Sequence, residues 1–234
     1  MSLSPTLLYQ ILLKKLGNLY WWPIDKNYHK KNKSDPRFEV IIGAILTQNT
    51  SWSNVEKALE NLKSDRKLNI KSIADANLKN LTKIIKPSGF FNQKAQRIQT
   101  LSKLLKDKYN YNLYNFFNRD IKIIRKELVS IKGIGLETAD SILLYAGDKP
   151  IFVVDAYTKR ICNRLPLDTE TSYDEIQLFF ENDLSKNYED KILTKVYGEL
   201  HAQIVILAKD YCRKKPNCTD CPLLKDCMFD DKLF

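Results

Sequence analysis

Residues 131–140 read IKGIGLETAD. Gly133 and Gly135 flank one apolar residue, and a helical pattern resumes at once. Before the turn, Ile121, Ile124, Leu128 and Ile131 share a face; after it, Leu136, Ala139, Leu143 and Ala146 do. The pattern predicts two helices joined by Lys132, Gly133, Ile134 and Gly135, a tight hairpin over 121–147. Glycine at these positions permits positive φ and close approach of the backbone. The N–H groups that follow belong to the unpaired first turn of a helix, whose dipole attracts an anion such as a phosphate. The same turn can also be a plain connection between packed helices. Glu137 is the anomaly, an acid where a phosphate would favour a base, expected on an outward face with Asp140 and Ser141.

Working outward from the hairpin, the periodic segments are helical. Ser4-Pro5 reads as an N-cap with proline at the first helical position. A strongly apolar, central helix is expected at 37–47, with shorter ones at 52–63, 70–75 and 77–85, and a lysine-rich amphipathic one at 92–107. Helices at about 155–165, 173–183 and 190–208 complete the pattern. The lysine-rich stretch 24–36 reads as a loop. The strand-like run IFVV at 151–154 is too short and isolated to imply a sheet. The expected class is all-α.

The totals agree with a soluble globular protein. The chain has 234 residues, 44% hydrophobic and 28% charged, with 38 basic against 28 acidic residues, a net +10. That surplus favours a polyanionic partner. No apolar run approaches the ~20 residues that span a bilayer, and the N-terminus alternates at helical spacing instead of forming a signal peptide. These features imply no membrane partner and an intracellular, cytoplasmic location.

Two further features carry chemistry. Asp155 follows GDKPIFVV at the start of a helix, an N-cap position that also holds a carboxylate still and partly shielded. Cys212, Cys218, Cys221 and Cys227 form a C-x5-C-x2-C-x5-C run that can enclose one metal centre, either zinc or an iron–sulfur cluster. Cys162 stands apart and reads as a buried thiol, and His201 as a packed helix residue.

Taken in order, hairpin, aspartate and cysteine run resemble the endonuclease III family of DNA glycosylases, the helix–hairpin–helix/GPD superfamily. The stretches that carry the resemblance are IKGIGLETAD, VDAYTKRICNR at 154–164, AILTQNT at 44–50, GFFNQKAQRI at 89–98 and the cysteine loop. The resemblance covers about residues 37–230. It implies a six-helix barrel over 37–147 and a discontinuous domain of 1–36 and 148–234 that carries a [4Fe–4S] cluster, in preference to zinc, on the loop 212–227. It implies a double-stranded DNA partner containing a damaged base, bound by a monomer associated with the nucleoid, with the extruded nucleotide in a cleft between the domains. Gln48 would fill the gap left by the extruded base. Lys132, Gly133, Gly135 and Thr138 would meet DNA at the hairpin, and Arg213, Lys214 and Lys215 would meet phosphates. Asp155 would be the catalytic carboxylate that stabilises the oxocarbenium-like sugar or orients water, after the base has been flipped out.

The departures are informative. The first cysteine spacing is five where six is usual, and Lys132 stands where proline is common. Glu137 occupies the position of the lysine with which bifunctional members form a Schiff base, so the resemblance implies a monofunctional glycosylase with water as nucleophile. YWWP at 20–23, with GAILTQNT and the hairpin, looks like the 3-methyladenine glycosylase III branch, in which Trp21, Trp22 and Pro23 would contribute to an aromatic base pocket. Cationic alkylated purines suit such a pocket. The alternatives are a glycosylase/abasic-site lyase for oxidised or mismatched bases that uses another lysine, and a non-catalytic DNA-binding module.

Overall fold

The computed structural model describes residues 3–227 and Phe229, and among them all regular structure is helical. The α-helices are α1 (Pro5–Leu16), α2 (Lys26–Asn32), α3 (Arg37–Leu46), α4 (Trp52–Ser64), α5 (Ile70–Ala74), α6 (Leu78–Ile84), α7 (Phe91–Tyr109), α8 (Leu113–Phe117), α9 (Ile121–Val129), α10 (Leu136–Tyr145), α11 (Ala156–Cys162), α12 (Tyr173–Asn187) and α13 (Asp190–Asp210). A 3-10 turn spans Lys86–Ser88 and ends on Gly89 at φ 67°. Several helices are too short to be stable alone, and side-chain caps fix where they begin. Asn69, Asn77, Asn112 and Asp120 each accept from a backbone N–H of the following turn, closing donors that the helix cannot satisfy itself.

The helices fall into two compact units, a continuous one of Trp22–Lys149 and a split one made from the described residues up to Trp21 and from Pro150 onward. In the continuous unit α3 is the hub: Phe38, Val40, Ile41, Ile42, Ile45 and Leu46 are all buried, and the helix packs on α4, α7 and α10. Gly43 lets the Trp22 ring lie against this hub, since a Cβ there would stand 3.0 Å from the indole. The C-terminal carbonyls of α3 are met from α7. Buried Lys94 donates through Nζ to Leu46 O at 2.8 Å and to Ser88 O at 2.7 Å, and burial, then the charge of Arg97, pushes its pKa down to about 8.

Where a lysine-rich loop was expected, residues 26–32 form α2. Asp25 caps it by accepting from Tyr28 N–H, and His29 anchors it in the interior. His29 Nε2 lies 2.9 Å from Glu39 Oε2, Lys63 Nζ lies 2.8 Å from Glu39 Oε1, and Asp25 N–H donates to Glu39 as well. The exposed lysines are the solvent face of a helix whose inner face is held by this buried network.

The split unit is built on α13, which packs against α1, α11 and α12. Thr6 of α1 donates from its N–H and its hydroxyl to the Asp183 carboxylate of α12. Glu199 of α13 accepts from Leu19 N–H and Tyr20 N–H, and Gln203 Nε2 donates to Gly17 O. The IFVV run is buried and forms no strand. Side chains of α12 take its backbone groups: Glu181 accepts from Phe152 N–H and Gln177 donates to Phe152 O. The Phe152 ring stacks on Phe180 at 4.3 Å. This buried segment delivers the chain to Asp155.

Candidate functional site

At the hairpin, α9 and α10 pack together and Gly133 takes φ 90°. That conformation favours glycine, and a Cβ there would come within 2.0 Å of Arg97 Nε and force the guanidinium to move. Gly135 is the N-cap of α10 and brings no side chain to its first turn. Glu137 is exposed in that turn, as expected. Asp140 is not on the outward face expected for it. It is fully buried, and both oxygens accept from Arg125 of α9, Nε at 2.7 Å and Nη2 at 2.8 Å. The planar guanidinium matches the carboxylate and clamps the two arms of the hairpin. Lys132 is exposed beside the turn, while Thr138 is buried.

Gln48 follows α3 and reaches the same turn. Its amide nitrogen donates to Gly133 O at 3.0 Å and Thr138 Oγ1 at 2.9 Å, and its oxygen accepts from Arg97 Nη1. The structure therefore brings Gln48, Gly133 and Thr138 together and adds Arg97. Sequence reasoning missed Arg97, although it lies three positions after Lys94 in the stretch GFFNQKAQRI; only the fold sets it over Gly133.

Trp22 belongs to an aromatic group with Trp52, 5.4 Å away edge-on, and Tyr145, 5.5 Å away and tilted. Pro23 is exposed next to it. Trp21 is half-buried and falls in the split unit. Trp52 and Tyr145 are the members that the sequence did not single out.

In the split unit, Asp155 is the N-cap of α11 and 8% exposed. Its Oδ1 accepts from Thr158 N–H at 2.7 Å and Thr158 Oγ1 at 2.9 Å. Its Oδ2 lies 3.6 Å from Nε2 of His201, a buried residue of α13. Burial pushes the Asp155 pKa up, but His201 and the two Thr158 donors outweigh it and hold the carboxyl below its ordinary value. The group is thus sheltered, ionised and fixed. These are the properties needed to stabilise a developing positive charge.

The far end of α11 holds the cysteine loop. Arg160 donates to Cys212 O and Ala208 O at 2.8 Å each, and Arg164 donates to Arg213 O and to Cys212 Sγ. Cys212, Cys218, Cys221 and Cys227 line one cavity whose other walls are mainly apolar, including Ile161, Leu207 and Leu223. Among the described residues no three His, Cys, Asp or Glu side chains converge as a ligand group for a metal ion. Burial pushes the Cys221 thiol up, and the three neighbouring cysteines push it the same way. Cysteines lining one cavity are the soft donors that a zinc ion or an iron–sulfur cluster would take. Arg213, Lys214 and Lys215 are exposed on this loop. Cys162 is buried, and burial drives its thiol up to about 12.

Compared with known proteins, the chain matches over residues 42–186 the family described as "HhH-GPD superfamily base excision DNA repair protein". It is 44% identical over 223 residues to "Putative DNA repair glycosylase MJ1434" of Methanocaldococcus jannaschii, with 94% of each chain covered. It is 28% identical over 207 residues to endonuclease III of Thermotoga maritima, covering 88% of this chain and 89% of that one. Among solved structures, the H. pylori 3-methyladenine DNA glycosylase MagIII bound to 1,N6-ethenoadenine matches with TM-score 0.66 and 33% identity, covering 88% of this chain and 98% of that one. A trapped endonuclease III–DNA covalent intermediate matches in fold with TM-score 0.73 and 23% identity, covering 99% and 98%. No helix of the described residues is long and apolar enough to cross a membrane.

Proposed function

The chain belongs to the HhH-GPD superfamily of base excision DNA repair proteins, and on that premise we propose that it is a monofunctional DNA N-glycosylase acting on alkylated purines. The observation that carries the reading is the Asp155 carboxylate, buried yet held ionised on a helix cap. As the C1′–N bond breaks, the bonding pair leaves with the base. A cationic alkylpurine departs neutral and needs no proton from the enzyme. Asp155 stabilises the positive sugar, and water adds at C1′ and loses its proton to the carboxylate or to solvent. Glu137 cannot form an imine, so the DNA backbone stays whole.

The substrate class rests on two supports. The group of Trp22, Trp52 and Tyr145 offers π-faces of the kind that attract a cationic ring. MagIII, which shares 33% identity with this chain, is described as a 3-methyladenine glycosylase. Backbone N–H groups at the start of α10 are assigned to a DNA phosphate, with Lys132 beside them, Gln48 to the gap in the duplex, and Arg213, Lys214 and Lys215 to flanking phosphates. Duplexes carrying single defined lesions, analysed with and without alkali, test the reading. Strand breaks appear only after alkali, on alkylated purines. Breaks without alkali together with borohydride trapping identify a lyase, and tight binding without base release identifies a DNA-binding module; either overturns it.

We also assign Cys212, Cys218, Cys221 and Cys227 to a [4Fe–4S] cluster, which supplies a covalent cross-link that closes the loop. The purified chain is expected to contain iron and acid-labile sulfide in equal amounts, and Cys221→Ser to lose both and melt at lower temperature. A single zinc per chain would overturn the assignment.

A further inference from the structure

Asp155 Oδ1 is spent on the cap: it takes both donors of Thr158. The oxygen left for chemistry is Oδ2, and it faces His201 Nε2 across 3.6 Å. Both side chains are about nine-tenths buried, so their interaction is screened little by solvent. The distance exceeds a formed hydrogen bond, but contacts of this kind often tighten when substrate binds.

Several ionisable groups on the packed elements are engaged elsewhere, and from α12 the Tyr173 hydroxyl accepts from Val154 N–H, next to Asp155. On α13 itself, Glu199 turns to the Leu19 and Tyr20 N–H groups, and Lys209 lies over the Tyr157 ring. From α12, Glu181 takes the Phe152 N–H and Asp183 serves Thr6 of α1. On α1, Tyr9 packs edge-on to Tyr188. On α11, Arg160 is committed to Cys212 O and Ala208 O. His201 is the side chain of α13 that faces Asp155 Oδ2.

We infer that His201 is a positioning residue for base release, a donor to Asp155 Oδ2 that keeps the catalytic carboxylate ionised and aimed while it is buried. This rests on the reading of Asp155 as the catalytic carboxylate. Without the imidazole, burial acts on Asp155 opposed only by Thr158, and the carboxyl takes up a proton at higher pH. The group would then enter the reaction neutral over part of the working range. The direction of the Asp155 shift, downward despite burial, agrees with this role.

The test is single-turnover release of 3-methyladenine from methylated duplex DNA, followed over about pH 5–9 with spontaneous loss subtracted, for the wild type, His201→Leu, His201→Gln and Asp155→Asn. In His201→Leu the acid limb of the rate moves up by about one pH unit or more, while the alkaline plateau falls less. His201→Gln keeps a donor that does not titrate and restores the limb to lower pH. Melting curves report whether each variant folds, and His201→Gln decides the question if His201→Leu does not. Limbs that stay at the wild-type pH in both variants, with only a uniform loss of rate, overturn the inference and leave His201 as packing. Asp155→Asn separates the two levels. If it is inactive while the limbs stay put, only the His201 role fails; if it turns over like the wild type, or if the wild type releases no methylated purine, the underlying reading fails and takes the inference with it.

Discussion

Asp155→Asn abolishes base release while leaving DNA binding at the wild-type level. Asparagine caps a helix as well as aspartate does, so its oxygen can still accept from Thr158 N–H and Oγ1, and α11 keeps its start. What disappears is the negative charge. Removing one preorganised electrostatic partner costs about a hundred- to a thousand-fold in rate, and here the lost partner is a full charge in a sheltered place. Single-turnover release from a lesion duplex measures the first effect. Binding to a duplex with a stable abasic analogue measures the second. Retained turnover in the variant would remove Asp155 from the chemistry and reduce it to a cap.

The second large effect is on stability. Glu39 is 2% exposed, and three donors converge on its carboxylate, from His29, Lys63 and Asp25 N–H. Glu39→Ala removes the acceptor shared by a buried imidazole and a nearly buried ammonium, a loss of about 3 kcal/mol by the usual cost of breaking a buried ion pair. The figure stays at the lower end because Lys63 still reaches Glu60 at 3.0 Å. Burial raises the Glu39 pKa, but the three donors outweigh it and the net shift is downward. The sign follows directly. A depressed carboxylate stabilises the fold above its unfolded pKa, and that contribution is lost as pH falls through the folded value. Urea titrations at neutral and acid pH therefore find the gap between wild type and Glu39→Ala widest near neutrality and narrowing in acid. A gap independent of pH would mean that the network contributes packing and no charge linkage.

The parts legible in the sequence are those encoded by neighbours. The hairpin, the central helix α3 and the capped start of α1 announce themselves through glycine placement, apolar periodicity and a Ser-Pro pair, and the observed helices follow. The parts that were not legible depend on partners distant in the chain. α2 has the composition of a solvated loop because its support is Glu39 and Lys63, outside the segment. Asp140 has the spacing of an outward residue until Arg125, fifteen positions earlier, takes its carboxylate inside. Arg97, Trp52 and His201 sit in ordinary helical patterns that give no local sign of a role. Each acquires a role only when a turn, a ring or a carboxylate from elsewhere is set against it.

The fastening of α1 has a consequence for the order of events during synthesis. Leu3 pairs with Pro166, Thr6 with Asp183, and Gly17 with Gln203, so these fastenings of α1 form only once the last third of the chain exists. The continuous unit between them ends at Lys149. Emergence from the ribosome thus favours folding of the middle while α1 still waits for its later partners. Closing the split unit is a late, long-range step that carries the entropy cost of non-local contacts.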